Sequence, residues 1–280
     1  MDETVFQEIA KLALKGSGQL ITPARAYLVE TRLNPLLRRE DFGSIEELLA
    51  CFQARPNSSL REEAVAALTS KTSRFFDGRE MLKRIVDHVL PMMVDTSGGQ
   101  PLRMWCAGGA AGHEAYSLAM LLEETRIDSV RHAQIEILTT DICEKQSESA
   151  RRGRFGHFDV QKGLSIHRLL EHFTRLDTGE WQISPALASR VGVRTHNLLT
   201  DASGLGLFDV ILCRNVLKDM APQARTQALL TVARQLTDGG ILILGEGETA
   251  TGLIDGLEPS RDVRGAFTRQ VARDALTIAA

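Results

Sequence analysis

Residues 103–117 read Arg-Met-Trp-Cys-Ala-Gly-Gly-Ala-Ala-Gly-His-Glu-Ala-Tyr-Ser, and this stretch decides the fold. A short apolar run ends in glycines and other small residues, and apolar residues then recur at helical spacing through Leu118 and Leu122. The pattern predicts a strand, a tight turn and the N-terminus of a helix. Such a turn lets a ligand approach bare backbone amides, and the helix dipole favours an anionic group there. Because the spacing differs from the G-x-G-x-x-G of dinucleotide-binding enzymes, a tight packing corner remains the alternative.

Outward from this turn, the chain from about residue 80 alternates between predicted strands and helices. The predicted strands are Leu102–Ala107, Ile135–Thr140, Phe208–Cys213 and Gly240–Gly245. The predicted helices are Met81–Val94, Ala115–Glu124 and Pro222–Leu236. Apolar strands that alternate with amphipathic helices indicate an α/β fold with a mostly parallel, doubly wound, Rossmann-like sheet. Residues 173–183 predict a hairpin around Asp177–Gly179, which would form a small antiparallel β insert.

The segment before residue 75 or so predicts helices alone. Apolar residues repeat at helical spacing from Phe6 and again from Tyr27, Ser44–Glu47 matches a capping box, and Asn57–Ser59 opens one more helix. We therefore expect an all-α N-terminal domain and linker at residues 1–78, followed by an α/β domain at 79–280. The β insert is expected at about residues 173–194.

The composition excludes several classes of protein. Hydrophobic residues make up 43% of the 280 residues and charged residues 25%, which is ordinary for a globular protein. A net charge of −3 gives no reason to expect a nucleic-acid-binding surface. No apolar run approaches the ~18 residues of a membrane span, and the acidic N-terminus does not match a secretory signal. The four cysteines are scattered, so we expect neither disulfides nor a metal site, and a reducing, cytoplasmic location.

Polar residues follow the predicted strands at the edge where open α/β sheets bind ligands. They are Asp141, Arg214 with Asn215, and Glu246 with Glu248. Asp141 lies where an acid that binds ribose hydroxyls is expected, so an adenosine-type ligand fits. The alternative is that Asp141 caps a helix that begins at Ile142. Arg214 is expected to meet a ligand or a buried carboxylate, whereas Glu246 and Glu248 are expected to be solvated loop charges.

The order of these motifs resembles the bacterial chemotaxis receptor methyltransferases, the CheR-type family. The matching pieces are Tyr27–Leu33, Leu68–Phe76, Ala107-Gly108, Gly112, Glu114, Tyr116-Ser117, Thr140–Ile142, Ala150-Arg151, Gly153, Asn197–Leu199 and Cys213–Val216. The resemblance runs from near the N-terminus to about residue 250. It implies an enzyme that uses S-adenosylmethionine to methylate glutamate side chains of chemoreceptors and releases S-adenosylhomocysteine.

The resemblance also implies a set of site residues, none of them for a metal. The implied cofactor-binding residues are Lys71, Ser73, Gly108, Glu114, Asp141, Asn197, Leu198, Arg214 and Asn215. Glu114 would bind the amino group of the cofactor, since a carboxylate pairs well with an ammonium. Asp141 would bind the ribose hydroxyls, and Asn197 with Leu198 would flank the adenine. Arg214 would also be catalytic, because it would lie beside the reacting sulfonium.

The chain departs from the family pattern in the region of the site. The departures are Asp77 in place of an arginine, Asp219 in place of a tyrosine, His113 in place of an acid, and Gly245–Glu248 in place of G-H-S-E. Added acids make the pocket less favourable for a glutamate, although Arg74 or Arg79 could replace the missing arginine. The alternatives are a weakly active or inactive relative that binds cofactor or a signalling partner, and an ordinary small-molecule methyltransferase.

The resemblance names the cytoplasmic domains of chemoreceptors as the protein partner, and the β insert would grip their tails. Four arginines at turn-like spacing form a basic set that, in the family, is thought to meet acidic receptor helices. They are Arg25, Arg32, Arg38 and Arg39. The alternative is a solvated helix face with local ion pairs. We expect a cytoplasmic monomer that is not inserted in the membrane.

Overall fold

The computed structural model describes residues 2–69, 73–261, 263, 265–270, 272 and 275–279. Its α-helices are α1 Glu3–Ser17, α2 Ala26–Arg39, α3 Ile45–Ala54, α4 Ser59–Leu68, α5 Arg79–Arg84, α6 Leu90–Thr96, α7 His113–Glu124, α8 Asp128–His132, α9 Glu144–Arg152, α10 His157–Gln161, α11 Ile166–His172, α12 Pro185–Ala188 and α13 Pro222–Ala233. Its strands are β1 Leu102–Ala107, β2 Ile135–Asp141, β3 Arg154–Phe155, β4 Phe173–Arg175, β5 Trp181–Ile183, β6 Val191–Thr195, β7 Phe208–Cys213, β8 Leu236–Leu244, β9 Ile254–Asp255, β10 Leu257–Pro259, β11 Ala266–Arg269 and β12 Thr277–Ile278. A π-helical turn, Ile85–Val89, joins α5 to α6.

A seven-stranded sheet forms the centre of the α/β part, in the order β10-β11-β8-β7-β1-β2-β6. Strands β1, β2, β6, β7 and β8 run parallel, and β10 and β11 form an antiparallel edge. The strand order reverses at β1, which lies between β2 and β7. In such sheets the ligand crevice lies beyond the carboxyl ends of the strands at the point of reversal. The predicted α/β fold with a mostly parallel, doubly wound sheet is confirmed.

Both faces of this sheet are covered, which explains why the predicted strands read as continuous apolar runs. Alternate residues of β1 enter opposite apolar clusters: Met104 and Cys106 join one, and Trp105 and Ala107 join the other. Helix α7 packs into the first cluster and α13 into the second. The glycine turn after β1 is therefore fixed between two buried layers.

The four predicted strands are present, and the sheet contains three others that the sequence patterns did not predict. The missed strands are β6, β10 and β11, which are short and lie toward the two edges. The helix predicted to run to Leu236 ends at Ala233, and β8 begins at Leu236 rather than at Gly240. Strand β8 includes Asp238-Gly239-Gly240, a sequence typical of a turn, and its pairing with β7 is irregular between Phe208 and Val210. The register advances from Phe208–Leu236 to Val210–Ile241, so residues 237–240 bulge out of the ladder with β7 and the turn signal is kept inside the strand.

A small antiparallel sheet, in the order β3-β5-β4, forms the insert. The predicted hairpin is confirmed: the N–H of Leu176 donates to the carbonyl of Glu180 at 2.8 Å, and β4 pairs with β5. The insert also takes in Arg154–Phe155, upstream of the predicted range. By contrast, Val191–Thr195 pairs with β2 and belongs to the main sheet.

The N-terminal helices pack around their own apolar cluster, which includes Phe6, Ile9, Leu33 and Leu48. Helix α3 begins where the capping box predicts, because the Ser44 hydroxyl accepts the N–H of Glu47. The helical N-terminal region of the prediction is confirmed. Within the described ranges, no helix combines the length and the apolar content that a membrane crossing requires.

The segment after α1 attaches the helical region to the α/β part. The N–H of Ala221 donates to the carbonyl of Gly18 at 2.9 Å, and the N–H of Leu20 donates to the carbonyl of Asp219 at 2.9 Å. Gly18 has φ = 73°, and a Cβ there would lie 2.6 Å from the Cβ of Ala224 on α13. The two parts therefore meet backbone to backbone at this point, and only glycine fits.

An aromatic cluster joins the linker, which is the described segment 73–78 before α5, to α7 and the insert. The ring of Phe75 lies 4.7 Å from that of His113 and 4.9 Å from that of Phe155, with Phe173 at 5.7 Å. His113 is only 5% exposed, and neither ring nitrogen has a hydrogen-bond partner among the described residues. Burial lowers the pKa of His113 to about 4. The imidazole therefore packs as a neutral aromatic ring.

We predict that Gly18→Ala destabilises the protein far more than Gly98→Ala. Both glycines have positive φ, but a Cβ at Gly98 would meet nothing within 4 Å. The positive φ should cost each variant about 1 kcal/mol of unfolding free energy. The contact with Ala224 should cost G18A roughly 1–3 kcal/mol more, because an alanine Cβ has no rotamer to move into. Urea denaturation measures both losses, and equal losses would contradict this account of the junction.

A second prediction concerns His113 and pH. The folded-state pKa of about 4 lies below the ordinary value of 6.5, so the unfolded chain binds the proton first as the pH falls. Stability is therefore full above about pH 6.5 and is lost toward pH 4. The unfolding free energy should fall by about 3 kcal/mol more in the wild type than in His113→Phe between about pH 7 and pH 4. Urea titrations at a series of pH values test this, and parallel pH curves for the two proteins would refute it.

Candidate active site

A cleft of about 620 Å³ opens beyond the carboxyl ends of β1, β2, β6 and β7. This volume is within the range of small-molecule sites. All the predicted site residues that the structure describes line it: Ser73, Gly108, Glu114, Asp141, Asn197, Leu198, Arg214 and Asn215. Lys71 lies outside the described residues. Ser17 and Gln19 from the helical region line the same cleft, so both parts of the chain contribute to it.

The glycine turn forms one wall of the cleft. Gly108 has φ = 74°, and a Cβ there would lie 2.6 Å from Cγ2 of Val216. The N–H of Gly109 donates to the carbonyl of Thr140 at 2.8 Å, which ties the turn to the end of β2. The turn is thus a close-packed corner and a cleft wall at once.

Asp141 ends β2 and is 9% exposed. Its carboxylate accepts the N–H of Ala110 at 3.0 Å and the N–H of Cys143 at 2.8 Å. The alternative that Asp141 caps a helix beginning at Ile142 is wrong, because α9 begins at Glu144. Asp141 instead connects the glycine turn to the start of the next segment and lines the cleft.

Arg214 follows β7 and organises the inner end of the cleft. Its Nη1 lies 2.5 Å from Oε1 of Glu114 and also donates to the carbonyl oxygen of Asp77 at 2.8 Å. Its Nη2 lies 3.7 Å from Oδ2 of Asp77. The side chains of Arg214 and Glu114 are 9% and 15% exposed. The prediction that Arg214 contacts a ligand or a buried carboxylate is confirmed, because its guanidinium pairs with the carboxylate of Glu114.

The electrostatics around Glu114 are those of a crowded acidic site. Burial raises the pKa of the Glu114 carboxyl, and the charges of Asp77 and Glu248 act in the same direction. The Arg214 guanidinium opposes that rise by its charge and its hydrogen bond. A second cation beside Glu114 would further stabilise the ionised carboxylate.

Asp77, Asp219 and His113, which depart from the expected family pattern, lie in different surroundings in the structure. Asp77 lines the cleft, where its carboxylate lies 2.7 Å from Nε of Arg74 and accepts Nδ2 of Asn215 at 3.2 Å. Asp219 turns to the helical region, and its carboxylate pairs with Nη1 of Arg25 at 3.0 Å. His113 packs in the aromatic cluster. Of these departures, only Asp77 adds charge to the cleft wall.

The prediction that Glu248 is a solvated loop charge is wrong. Its carboxylate accepts the backbone N–H groups of Gly245 at 2.8 Å, Asn215 at 3.0 Å and Lys218 at 3.0 Å. It therefore holds together the loops that follow β7 and β8. Glu246 is exposed, as expected.

Asn197 connects the cleft to the helical region. Its Nδ2 donates to the carbonyl of Gly16 at 2.7 Å, and its Oδ1 accepts the N–H of Leu199. The neighbouring Leu198 is 5% exposed and gives this wall an apolar surface. The amide of Asn197 is thus committed to protein contacts, and its role beside a cofactor stays a prediction.

His196 and Lys218 are among the cleft residues that the sequence patterns did not predict. His196 follows β6, and burial lowers its pKa. It was missed because β6 itself was not recognised, although a polar residue after a strand is the signal that located Asp141. Lys218 lines the cleft from the turn after β7, and only the three-dimensional structure brings its ammonium to within 3.2 Å of Oδ1 of Asn215.

The predicted basic set is largely committed to local contacts. Arg39 pairs with Glu63 and Glu40, and Arg25 pairs with Asp219. Nη1 of Arg32 donates to the carbonyl of Leu68. Of the four, only Arg38 is exposed and makes no side-chain hydrogen bond or ion pair among the described residues, so the structure favours local pairing for most of the set.

Comparison with known proteins agrees with this geometry. The family model described as "CheR methyltransferase, SAM binding domain" matches residues 71–260. The chemotaxis protein methyltransferase Cher2 of Pseudomonas putida is 32% identical over 252 residues, which cover 89% of this chain and 92% of the relative. Chemotaxis protein methyltransferase 1 of Pseudomonas aeruginosa is 33% identical over 244 residues, covering 86% and 88%. A chemotaxis protein methyltransferase of Vibrio parahaemolyticus is 30% identical over 257 residues, covering 91% and 93%.

These matches confirm three predictions: the family, a methyltransferase activity, and S-adenosylmethionine as the cofactor. The family model spans the glycine turn, β2, the insert and β7, so it covers the strands whose ends form the cleft. The relatives match along the helical region as well, since they cover most of both chains. This chain belongs to the CheR methyltransferase family.

Proposed function

We propose that this chain transfers methyl groups from S-adenosylmethionine to glutamate side chains in the cytoplasmic domains of chemoreceptors. The observation that carries the proposal is the convergence of Glu114, Asp141 and Arg214, from three separate elements, on one cleft of nucleoside size. The relatives are named as chemotaxis proteins, which supports a chemosensory substrate.

The groups on the cleft wall suit a nucleoside that carries an ammonium. Glu114 presents a largely buried carboxylate, and an ammonium pairs well with such a group. Asp141, at the end of β2, is suited to ribose hydroxyls, and Leu198 offers an apolar surface to an adenine ring. When bound, the cofactor would supply an electrophilic methyl group at the end of the cleft near Arg214.

The protein itself has a limited chemical task. A glutamate carboxylate is ionised at neutral pH and is already a nucleophile, so no general base is required. The residues of the site must orient the acceptor and keep the reacting end ordered. Arg214 serves the second purpose, because it bonds both α7 through Glu114 and the linker through Asp77.

We also propose two domains, a helical domain with its linker at residues 1–78 and an S-adenosylmethionine-binding domain at 79–280. The separate apolar cluster of the N-terminal helices supports this division. The linker completes the cleft through Ser73 and Asp77. The protein would act in the cytoplasm, where the acceptor domains of the receptors lie.

One observation favours a second candidate, a cofactor-binding regulator that transfers no methyl group. The carboxylate of Asp77 lines the cleft where the family has an arginine, and an acid at the reacting end repels a glutamate acceptor. The contacts of Asp77 with Arg74 and Asn215 reduce this repulsion. We therefore retain the active enzyme as the first proposal.

The two candidates differ in one measurable product. The full-length protein, mixed with methyl-labelled S-adenosylmethionine and membranes that carry the chemoreceptors of the same organism, should place label on the receptors. Glutamyl esters are cleaved by base, so the label should be released as methanol at alkaline pH. Calorimetric binding of S-adenosylmethionine without base-labile incorporation would instead establish the regulator.

Asp141→Asn and Asp209→Asn provide a matched pair in this assay. Asp209 accepts the N–H of Arg103 at 2.8 Å and the hydroxyl of Thr237 at 3.0 Å, but it lies near the opposite end of the sheet. D141N should lower kcat/KM for S-adenosylmethionine about 10- to 100-fold, because hydrogen bonds to a charged group are lost. D209N should leave it unchanged, and equal losses would show that Asp141 acts on folding alone.

A further inference from the structure

The cations that line the cleft near Arg214 and Asn215 differ in whether a carboxylate neutralises them. Arg214 pairs with Glu114 at 2.5 Å, and Arg74 pairs with Asp77 at 2.7 Å. Lys218 lines the same cleft, and in the part of the chain that the structure describes its Nζ makes no ion pair. Its contact is with the neutral Oδ1 of Asn215, at 3.2 Å. Lys218 thus retains a positive charge for an incoming anion.

Lys218 also lies at the boundary between two cavities. A second cavity of about 360 Å³, between the helical region and the turn after β7, shares Lys218 and Gln19 with the cofactor cleft. A group that enters through the second cavity would meet Lys218 before it reached the reacting end. Gly108 and Asp141, which line the cofactor cleft, do not line the second cavity.

The other cations of the second cavity are already engaged. Arg25 pairs with Asp219 at 3.0 Å, and Nη1 of Arg32 donates to the carbonyl of Leu68. The cavity still carries an excess of positive charge, with three cations against one carboxylate. An acidic segment is therefore attracted to it, and Lys218 is the cation free to make a direct contact.

The backbone of Lys218 is firmly positioned. Its N–H donates to Oε1 of Glu248, whose other oxygen accepts the N–H groups of Asn215 and Gly245. The turn Leu217–Asp219 is also fixed to the helical region through the carbonyl of Asp219. The flexible lysine stem thus extends from a fixed base beside both cavities.

We propose that Lys218 binds the acceptor carboxylate in this chain, in place of the arginine that Asp77 replaces, and that the acceptor enters through the second cavity. This inference rests on the proposed function. In the reaction a carboxylate oxygen forms a bond to the methyl carbon, the bond from that carbon to sulfur breaks, and its electron pair stays on sulfur. No proton moves, and the neutral ester is no longer attracted to Lys218, which favours its release.

The charge balance predicts which kinetic constant Lys218 controls. The acceptor is fully charged when it binds, and its charge falls as the new bond forms. Lys218 therefore interacts at least as strongly with the bound acceptor as with the transition state, so its loss should raise KM and should not lower kcat. A residue with a merely structural role would lower kcat and cofactor affinity as well.

The experiment compares full-length wild type with Lys218→Met, Lys218→Arg and Lys83→Met. The acceptor is a purified cytoplasmic fragment of a chemoreceptor from the same organism. Lys218→Met should raise the KM for this fragment about tenfold and leave kcat within about twofold, since one charged hydrogen bond is lost at an exposed site. Lys218→Arg should restore most of the affinity. Lys83 on α5 is a charge-matched control outside both cavities. Its Nζ lies 4.0 Å from Oδ2 of Asp87 in the π-helical turn that follows.

Calorimetry makes the test independent of turnover. S-adenosylhomocysteine should bind the wild type and Lys218→Met equally, and the receptor fragment should bind the Lys218→Met complex with S-adenosylhomocysteine about tenfold more weakly than it binds the wild-type complex. Unchanged KM and unchanged fragment affinity in an otherwise active Lys218→Met enzyme would overturn this inference and leave the proposed function standing. The same follows if Lys162→Met, which removes the other lysine of the cleft, shows the KM effect instead. A wild type that neither methylates nor binds the fragment would overturn both proposals.

Discussion

The arrangement of the site depends on the contacts of Arg214 with Glu114 and Asp77. One guanidinium joins the end of β7, the first turn of α7 and the linker from the helical region. A buried charge is strongly destabilising when its partner is removed, so these three segments must stay together. The linker is thereby held at the cleft, which Ser17 and Gln19 of the helical region also line.

This network also explains how the chain accommodates the acidic residues that depart from the pattern expected of the family. Asp77 is surrounded by donors, since Arg74, Asn215 and Arg214 all lie near its carboxylate. Asp219 forms an ion pair with the helical region, and His113 is a neutral ring in an aromatic cluster. The substitutions therefore add one carboxylate to the cleft and leave Lys218 as an unneutralised cation beside it. Asp77 and Asp219 each suggest an inactive site when taken alone, but in the structure each carboxylate has a cationic partner.

Sequence patterns predicted the parts of the fold that are buried on both sides. Strands β1, β2, β7 and β8 were visible because each contains a mostly apolar segment, and the turn at Gly108 interrupts such a segment. Strand β6 is mostly exposed beyond its first residue, so its sequence carries little of that signal. The site residues were predicted from two signals: polar residues that follow the predicted strands, and the resemblance to the family. The roles of Glu248 and Lys218 could not be predicted, because they depend on loops that meet only in the folded chain.

The most direct test of the central claim is a crystal structure of the full-length protein with S-adenosylhomocysteine. The account predicts that the amino group of the ligand lies within hydrogen-bond distance of Glu114 and that its ribose hydroxyls contact Asp141. The bond between Arg214 and Glu114 should persist in the complex, because the linker depends on it. A ligand bound outside the cleft, or one that contacts neither carboxylate, would contradict the account.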